Sequence, residues 1–308
     1  MNLAPNMPIS LDIGGPHDKP VMQSYHCDTK CTWCDGCGDY GIWTAIKRAL
    51  VELGIQPWQT LLCYDVGCHG NGSDKVNGYR FHGLHGRVLP FAAGAKLANP
   101  RVPVIAFGGD GASFSEGVGH LVHSVRSNYP ITFVLHNNAN YGLTTGQASS
   151  LTWQDQKMNA SPNGIPEHTL NSMDFVFSLE PTFVARGFSG DIPQLTKLFK
   201  AAIEHQQHGF AFVDVLQACP TYNHFATHEY LLEKCFDANA EGHDPACDIV
   251  KARALALDVS KRIATGVLYE RKDVPSFYDR LVPRQGLETT VVEEVGIKDV
   301  SALWADFI

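Results

Sequence analysis

The regular alternation of short apolar runs with longer amphipathic segments constrains the fold of this chain more than any other feature. A short apolar run that ends at glycine or polar residues predicts a buried strand, whereas apolar residues three or four positions apart predict a helix. Strands are predicted at 60–67, 102–111, 131–138, 182–188 and 209–218, and helices at 39–54, 89–98, 112–128 and 193–206. This alternation predicts an α/β fold: a doubly wound, mostly parallel sheet with helices on both faces.

The two ends of the chain lack this alternation. The 308 residues, 44% of them hydrophobic, suffice for one large domain with an appendage. We predict an N-terminal arm at 1–24, a main domain at 25–225 and a C-terminal extension at 226–308. The extension is predicted to carry an amphipathic helix at 247–264 and then an irregular tail, and residues 144–180 are predicted to form a long loop.

Unusual residues follow directly after four of the predicted strands. They are Gly67-Cys68, Gly109-Asp110-Gly111, Asn137-Asn138 and Ala218-Cys219. The carboxyl ends of parallel strands lie at one edge of a sheet, and such sheets bind their ligands there. We therefore expect these residues to meet at one edge.

Asp110 and Asn138 belong to successive strands joined by one predicted helix. If the two strands are neighbours, a carboxylate and an amide oxygen lie side by side, which is a half-site for Mg²⁺. The glycines around Asp110 and the start of the helix suit a phosphate group. The sequence GDG alone is equally typical of a tight turn, but its pairing with NN after the next strand favours a Mg²⁺–diphosphate site.

The segment KCTWCDGCG (30–38) has three interpretations. Cys31, Cys34 and Cys37 begin a ferredoxin-type run, but the further cysteine that this run needs is replaced by Gly41. Zinc would need a second ligand pair, for which His82 and His85 are candidates. In the third interpretation, two cysteines of the segment join Cys68 and Cys219 in a four-cysteine iron–sulfur site.

Charge and hydropathy narrow the class of protein. The formal net charge is −8 and no Lys/Arg run is present, which argues against a nucleic-acid partner. The sequence has no apolar stretch of membrane-spanning length and no signal peptide, so we expect a cytoplasmic protein without a membrane partner. Cysteines are kept reduced there, which favours metal or redox roles over disulfides.

Six segments carry a specific family resemblance. They are WCDGCG (33–38), DVGCHGN (65–71), HGLHGRVLPFAAGAKLANP (82–100), FGGDG (107–111), HNNANYGLTTGQ (136–147) and GFAFVDVLQACPTYN (209–223). In this order they resemble the β subunit of the 2-oxoacid:ferredoxin oxidoreductases, the pyruvate and 2-oxoglutarate synthase family. The similarity covers residues 25–225 and continues more weakly through 266–281.

The resemblance implies a thiamine diphosphate-binding fold with three cofactors: thiamine diphosphate, Mg²⁺ and a [4Fe–4S] cluster. It implies Mg²⁺ ligands at Asp110, Asn138 and the backbone carbonyl of Asn140, and cluster ligands at Cys34, Cys37, Cys68 and Cys219. Positions around the organic cofactor correspond to Val66, Gly67, Cys68, His69, His85, Gly111, Ala112, Gly142 and Leu143. His85 is also the candidate catalytic residue, as a hydrogen-bond partner of cofactor or substrate.

The resemblance also implies an activity. A 2-oxoacid, pyruvate or 2-oxoglutarate, would undergo oxidative decarboxylation, with coenzyme A taking the acyl group and ferredoxin or flavodoxin taking the electrons. Thiamine diphosphate enzymes need a carboxylate on the aminopyrimidine ring, which a partner α subunit supplies in this family. Glu116 is the local candidate for that role, but we expect it to face solvent or the helix start. The alternatives are a subunit of another thiamine diphosphate-dependent 2-oxoacid enzyme and an iron–sulfur electron-transfer module.

Some residues depart from the family pattern or have no role in it. His69-Gly70-Asn71 stands where many members have Lys or Arg shortly after the cysteine, and Thr145 stands where many have Lys. Both regions face the substrate in relatives, so the identity of the 2-oxoacid stays open. The family assigns no ligand role to Cys27 or Cys31. The remaining cysteines, Cys63, Cys235 and Cys247, are expected to be structural.

Overall fold

A computed structural model describes residues 19–295 of the chain. Within this range the strands are β1 (Leu61–Tyr64), β2 (Tyr79–His82), β3 (Val104–Gly109), β4 (Thr132–Asn137), β5 (Phe183–Phe188), β6 (Ala211–Leu216), β7 (Cys235–Asp237) and β8 (Ile263–Glu270). The α-helices are α1 (Asp39–Glu52), α2 (Val88–Ala98), α3 (Val118–Ser127), α4 (Ser172–Phe177), α5 (Ile192–Glu204), α6 (His228–Lys234), α7 (Ile249–Leu257) and α8 (Val291–Val295).

The strands form one sheet in the order β2-β1-β3-β4-β6-β5-β8-β7. All neighbouring strands are parallel except β5 and β8, which run antiparallel. The predicted mostly parallel α/β sheet is therefore confirmed.

Helices cover both faces of this sheet. Successive strand residues alternate between two cores: Leu62 and Ile105 pack with α1 and α5, while Cys63 and Ala106 pack with α2, α3, α4 and α7. The central strands are thus buried on both sides, which explains why they appear in the sequence as continuous apolar runs. The doubly wound arrangement is confirmed.

The prediction of a helix at 247–264 is wrong in its second half. Helix α7 is capped at its start by the Asp248 side chain, which accepts a hydrogen bond from the N–H of Val250, and it ends at Leu257. Residues 263–270 are almost entirely buried and form strand β8, not an irregular tail. The helical spacing of apolar residues continues past Leu257, but pairing with β5 determines the conformation of 263–270.

Two smaller differences concern the segments near the predicted ligand edge. The predicted helix 112–128 is a short π-helical turn at Ala112–Glu116, and α3 begins only after Gly117. Strand β2 was not predicted, because Tyr79–His82 lies in a polar, glycine-rich run and is mostly exposed at the sheet edge. The predicted loop at 144–180 is irregular apart from α4.

Residues 1–18 of the predicted N-terminal arm and residues 296–308 of the predicted extension lie outside the described residues. The described part of the extension contributes β7 and β8 to the main sheet, so it is continuous with the core. The domain boundary at residue 225 stays a prediction. Across residues 19–295, the helices are too short or too polar to cross a bilayer.

Candidate active site

The predicted site residues meet at one edge of the sheet. Strands β3 and β4 are parallel neighbours with Gly109 opposite His136, so Asp110 and Asn138 follow adjacent strands, as predicted. Strand β6 lies on the other side of β4 and leads into Cys219, while β1 lies beside β3 and leads into Cys68.

These strand ends enclose a cavity of about 110 Å³. Its walls are Val66, Gly67, Cys68, His69, His85, Gly109, Asp110, Gly111, Ala112, Asn138, Asn140, Tyr141, Gly142, Leu143 and Thr144. All nine positions predicted to surround the organic cofactor are in this wall, and so are the three predicted Mg²⁺ ligands. Their roles stay predictions, but the structure brings them together. Tyr141 and Thr144 are wall residues that the sequence analysis did not single out.

Asp110 has the environment of a carboxylate that needs a cation. It is buried, and within residues 19–295 its side chain is paired with no Lys, Arg or His. Its Oδ2 accepts a hydrogen bond from the Ser149 hydroxyl. Burial raises the pKa of Asp110 to about 7, because the charged form is poorly solvated. A divalent cation would supply the missing positive charge.

The turn after β4 adds further oxygen atoms. The Asn140 Oδ1 atom is buried and has no hydrogen-bond partner among the described residues. The Asn138 Oδ1 atom accepts from the N–H of Asn140 at 3.2 Å, and the Asn138 carbonyl accepts from the Asn223 amide at 2.8 Å. One carboxylate with several amide and carbonyl oxygens is a donor set that fits Mg²⁺.

His85 is oriented by a carboxylate that the sequence analysis missed. Its Nδ1 lies 3.2 Å from Oδ1 of the buried Asp65. The same oxygen accepts hydrogen bonds from the N–H groups of Val66 (2.7 Å) and Gly86 (2.9 Å), so it acts only as an acceptor. The hydrogen-bond network thereby assigns a proton to Nδ1 of His85. The signal in the sequence was an acidic residue directly after strand β1.

His69 is neutral in this site. Its Nε2 accepts a hydrogen bond from the Gly109 N–H at 3.2 Å, and its ring packs against His136 at 5.2 Å. Burial, with a smaller contribution from His136, lowers the pKa of His69 well below its usual value. His69 therefore contributes an uncharged wall next to Asp110.

The four predicted cluster cysteines come together beside this cavity. The Trp33 indole N–H donates to the Cys68 carbonyl at 2.7 Å, and the Gly38 N–H donates to the Ala218 carbonyl at 3.0 Å. These bonds tie the segment that holds Cys34 and Cys37 to the segments that hold Cys68 and Cys219. All nine cysteines lie in the described range and are free thiols.

Gly142 connects the thiols with the cavity. A Cβ atom at this position would stand 3.3 Å from Cys68 Sγ and 4.0 Å from Cys219 Sγ, so both sulfurs approach the backbone of the loop that lines the cavity. Burial raises the pKa of Cys68 to about 12 and raises that of Cys37 further, where the Asp39 carboxylate adds to the effect. Bound iron would supply the positive charge that stabilises the deprotonated form of such thiols. The number and chemistry of the four thiols fit a cluster in which each sulfur binds a different iron.

No group of three or more His, Cys, Asp or Glu side chains between residues 19 and 295 is arranged around a single metal ion. The zinc interpretation through His82 and His85 has no support, since His82 Nδ1 lies 3.4 Å from the Ser73 hydroxyl whereas His85 faces Asp65.

Three further residues that the sequence analysis considered, Glu116, Cys63 and Cys27, lie outside the cavity wall. Glu116 is exposed and is not a residue of the cavity wall, although its carboxylate accepts a hydrogen bond from the hydroxyl of the wall residue Tyr141 at 3.5 Å. Cys63 is fully buried in β1. Cys27 donates to the Asp74 carbonyl at 3.0 Å, which gives it a structural contact.

Comparison with known proteins identifies two family models within the chain. Residues 65–215 match the C-terminal TPP-binding domain of thiamine pyrophosphate enzymes, and residues 219–285 match the C-terminal part of the pyruvate ferredoxin oxidoreductase beta subunit. The first match supports thiamine diphosphate as a cofactor of this chain.

Whole-chain relatives carry related names. The chain is 41% identical, over 81% of its length and 83% of the relative, to the beta subunit of 2-oxoacid:ferredoxin oxidoreductase 2 of Aeropyrum pernix. It is 36% identical to the 2-oxoacid:ferredoxin oxidoreductase beta subunit of Saccharolobus solfataricus, over 82% of this chain and 86% of that one. A solved structure of 2-oxoglutarate:ferredoxin oxidoreductase from Magnetococcus marinus, with 2-oxoglutarate, coenzyme A and succinyl-CoA bound, superposes with a TM-score of 0.83. The two are 32% identical, and the superposition covers 94% of this chain and 96% of that one.

Proposed function

This chain belongs to the family of β subunits of the 2-oxoacid:ferredoxin oxidoreductases, and on that premise we propose that it catalyses, with an α subunit, the oxidative decarboxylation of a 2-oxoacid. Coenzyme A accepts the acyl group, and ferredoxin or flavodoxin accepts the electrons. Pyruvate and 2-oxoglutarate are the proposed substrates to assay first. The observation that carries the proposal is that the Gly142 loop borders both the cofactor cavity and the sulfurs of Cys68 and Cys219.

The residues around Asp110 hold the cofactor end of the site. Asp110, Asn138 and Asn140 would hold Mg²⁺, which would supply the positive charge that a diphosphate group needs. Gly111 and Ala112 line the cavity beside Asp110, where their small size leaves room for the diphosphate. Bound thiamine diphosphate supplies the electron sink for loss of CO₂ from the substrate.

His85 is the residue placed to exchange a hydrogen bond with the reacting groups. Asp65 holds its Nδ1 side, so Nε2 is the atom presented to the cavity. Tyr141 packs against the His85 ring at 5.9 Å and limits its rotation. His85 thereby accepts a proton or a hydrogen bond at a fixed position, as general acid–base catalysis requires.

Cys34, Cys37, Cys68 and Cys219 bind the proposed [4Fe–4S] cluster. Cys68 belongs both to this set and to the cavity wall. A cluster held by these thiols would accept electrons, and its ligand Cys68 would lie directly at the cavity. Cys34 is the exposed member of the set, so a cluster held by these thiols would lie near the protein surface.

The cavity also supports the need for an α subunit. At about 110 Å³ it is smaller than the ~300–1,000 Å³ of typical cofactor pockets. Asp110, the proposed Mg²⁺ ligand, supplies the only carboxylate of the wall as described, and the exposed Glu116 is not a residue of that wall. A partner surface is required to complete the enclosure and to supply the carboxylate for the aminopyrimidine ring.

The test is anaerobic co-purification with the α subunit, followed by viologen reduction over a panel of 2-oxoacids with coenzyme A. We expect reduction with at least one 2-oxoacid, dependence on coenzyme A, and no turnover by this chain alone. Iron, acid-labile sulfide and bound thiamine are quantified on the same sample. Thiamine without iron would indicate a non-redox enzyme, and iron without thiamine would indicate an electron carrier. Either result, or turnover by the single chain, would contradict the proposal.

A further inference from the structure

A four-residue turn, Ser149–Thr152, lies against both halves of the cation site. We propose that Ser149 and Thr152 are positioning residues that hold Asp110 and the Asn138–Asn140 turn in the geometry that binds the divalent cation. The inference rests on the proposed Mg²⁺ site. It concerns residues of the loop 144–171, which has no periodic pattern and contains none of the predicted ligands.

Ser149 contacts the carboxylate half of the site. Its hydroxyl donates to Asp110 Oδ2 and accepts from the N–H of Leu151 at 3.2 Å. Ser149 is buried, so water does not compete for these bonds. The hydroxyl fixes the rotation of the carboxylate.

Thr152 contacts the other half of the site. Its hydroxyl donates to the carbonyl of Ala139 at 2.7 Å, and Ala139 lies between the ligands Asn138 and Asn140. Ala139 has a φ of 55°, in the left-handed region that is unfavourable for a residue with a Cβ atom. Such a conformation persists only where the surroundings fix it. The buried Thr152 hydroxyl is one of the groups that do so.

The turn joins these two contacts into one unit. The Ser149 N–H donates to Thr152 Oγ1 at 2.8 Å, and the Thr152 N–H donates to the Ser149 carbonyl at 3.1 Å. Asp110 and Ala139 belong to different strand ends, and the turn sets the separation between them. Groups that orient metal ligands in this way typically contribute 10–100-fold to metal affinity.

Ser150 provides a matched control within the same turn. Its hydroxyl lies 2.7 Å from the Ser115 hydroxyl and does not touch Asp110 or the Asn138–Asn140 turn. If the turn only anchors the loop, loss of the Ser150 hydroxyl and loss of the Ser149 hydroxyl have similar effects. If Ser149 and Thr152 act on the cation site, their effects differ from that of Ser150.

The experiment measures Mn²⁺ binding to the metal-depleted αβ complex in the presence of thiamine diphosphate, from the electron paramagnetic resonance signal of free Mn²⁺. We expect Ser149→Ala and Thr152→Val to raise the Mn²⁺ dissociation constant by about 10–100-fold. We expect Ser150→Ala and the conservative Thr152→Ser to stay within about threefold of the wild type, and iron content to be unchanged in all four. The added variant Ala139→Gly should restore most of the affinity that Thr152→Val loses, because glycine adopts the left-handed conformation without help.

The outcomes separate this inference from the proposed function. A wild-type complex that binds no Mn²⁺ with thiamine diphosphate overturns the Mg²⁺ site, and this inference with it. A wild type that binds while Ser149→Ala and Thr152→Val bind equally well overturns only the positioning role. A double variant Ala139→Gly/Thr152→Val that binds as weakly as Thr152→Val overturns the role assigned to Thr152 at Ala139.

Discussion

A methyl group added at Gly86 should destabilise the protein and weaken cofactor binding. Gly86 follows His85, has a φ of 69°, and donates its N–H to Asp65. A Cβ atom there would stand 2.9 Å from the Gly117 nitrogen and 3.0 Å from the Ala112 carbonyl oxygen. Both are backbone atoms next to the GDG segment, so they cannot move aside as a flexible side chain would.

The expected change in the free energy of unfolding is the sum of two destabilising effects and one stabilising effect. The left-handed conformation costs alanine about 1–2 kcal/mol. Overpacking against backbone adds about 1–3 kcal/mol. Alanine also lowers the conformational entropy of the unfolded chain, which stabilises the folded protein by about 0.4–1 kcal/mol. We therefore expect Gly86→Ala to lower the free energy of unfolding by about 1–5 kcal/mol and, by displacing His85, to weaken thiamine diphosphate binding.

Gly94 is a matched control position, at which substitution by alanine should stabilise the protein. It lies eight residues further on, at an exposed position of helix α2, and a Cβ atom there would meet nothing within 4 Å. Gly94→Ala should raise the free energy of unfolding by about 1 kcal/mol through helix propensity. Urea unfolding followed by circular dichroism compares the two variants with the wild type. A Gly86→Ala protein within about 0.5 kcal/mol of the wild type would refute the reasoning from backbone overlap.

The remaining predictions concern the cluster and a buried lysine. Cys34→Ser should lose the iron and acid-labile sulfide of the chain while Cys31→Ser keeps them; equal contents in the two variants would contradict the ligand assignment. Burial lowers the pKa of Lys96, which donates to the Val102 carbonyl at 2.9 Å, to about 7 from its ordinary 10.5. Between these values the unfolded chain holds a proton that the folded protein has released, so stability should rise with pH by up to about 1.4 kcal/mol per unit. Lys96→Met should remove that rise in urea unfolding between pH 7.5 and 9.5, and an unchanged slope would show that Lys96 is not its source.

The sequence predicted the central strands well because they are buried on both faces. Residues 104–107 (VIAF) and 133–135 (FVL) are continuous apolar runs, whereas an amphipathic helix would interrupt such runs with polar residues. Strand β2 was not predicted because an edge strand buries little apolar side-chain surface. Its residue Tyr79, for example, is 62% exposed. The strand at 263–270 was misassigned because its first residues continue a helical spacing, and only the distant partner β5 decides between the two conformations.

The residues of the candidate site that directly follow strands could be predicted from the sequence. Asp110, Asn138, Cys68 and Cys219 all have this position, which a parallel sheet converts into proximity. The supporting residues were not predictable, because their contacts cross long stretches of sequence. Ser149 reaches Asp110 from an irregular loop, and no local pattern indicates it.

The position of β8 bears on how the chain is made. During synthesis the six parallel strands emerge before residue 217, but the outer edge of β5 stays unpaired until residues 263–270 have left the ribosome. An unpaired, apolar edge is a template for pairing with other chains. Strand β8 therefore covers this edge only once residues 263–270 have been made, and a translation product that stops before residue 263 leaves β5 open to aggregation.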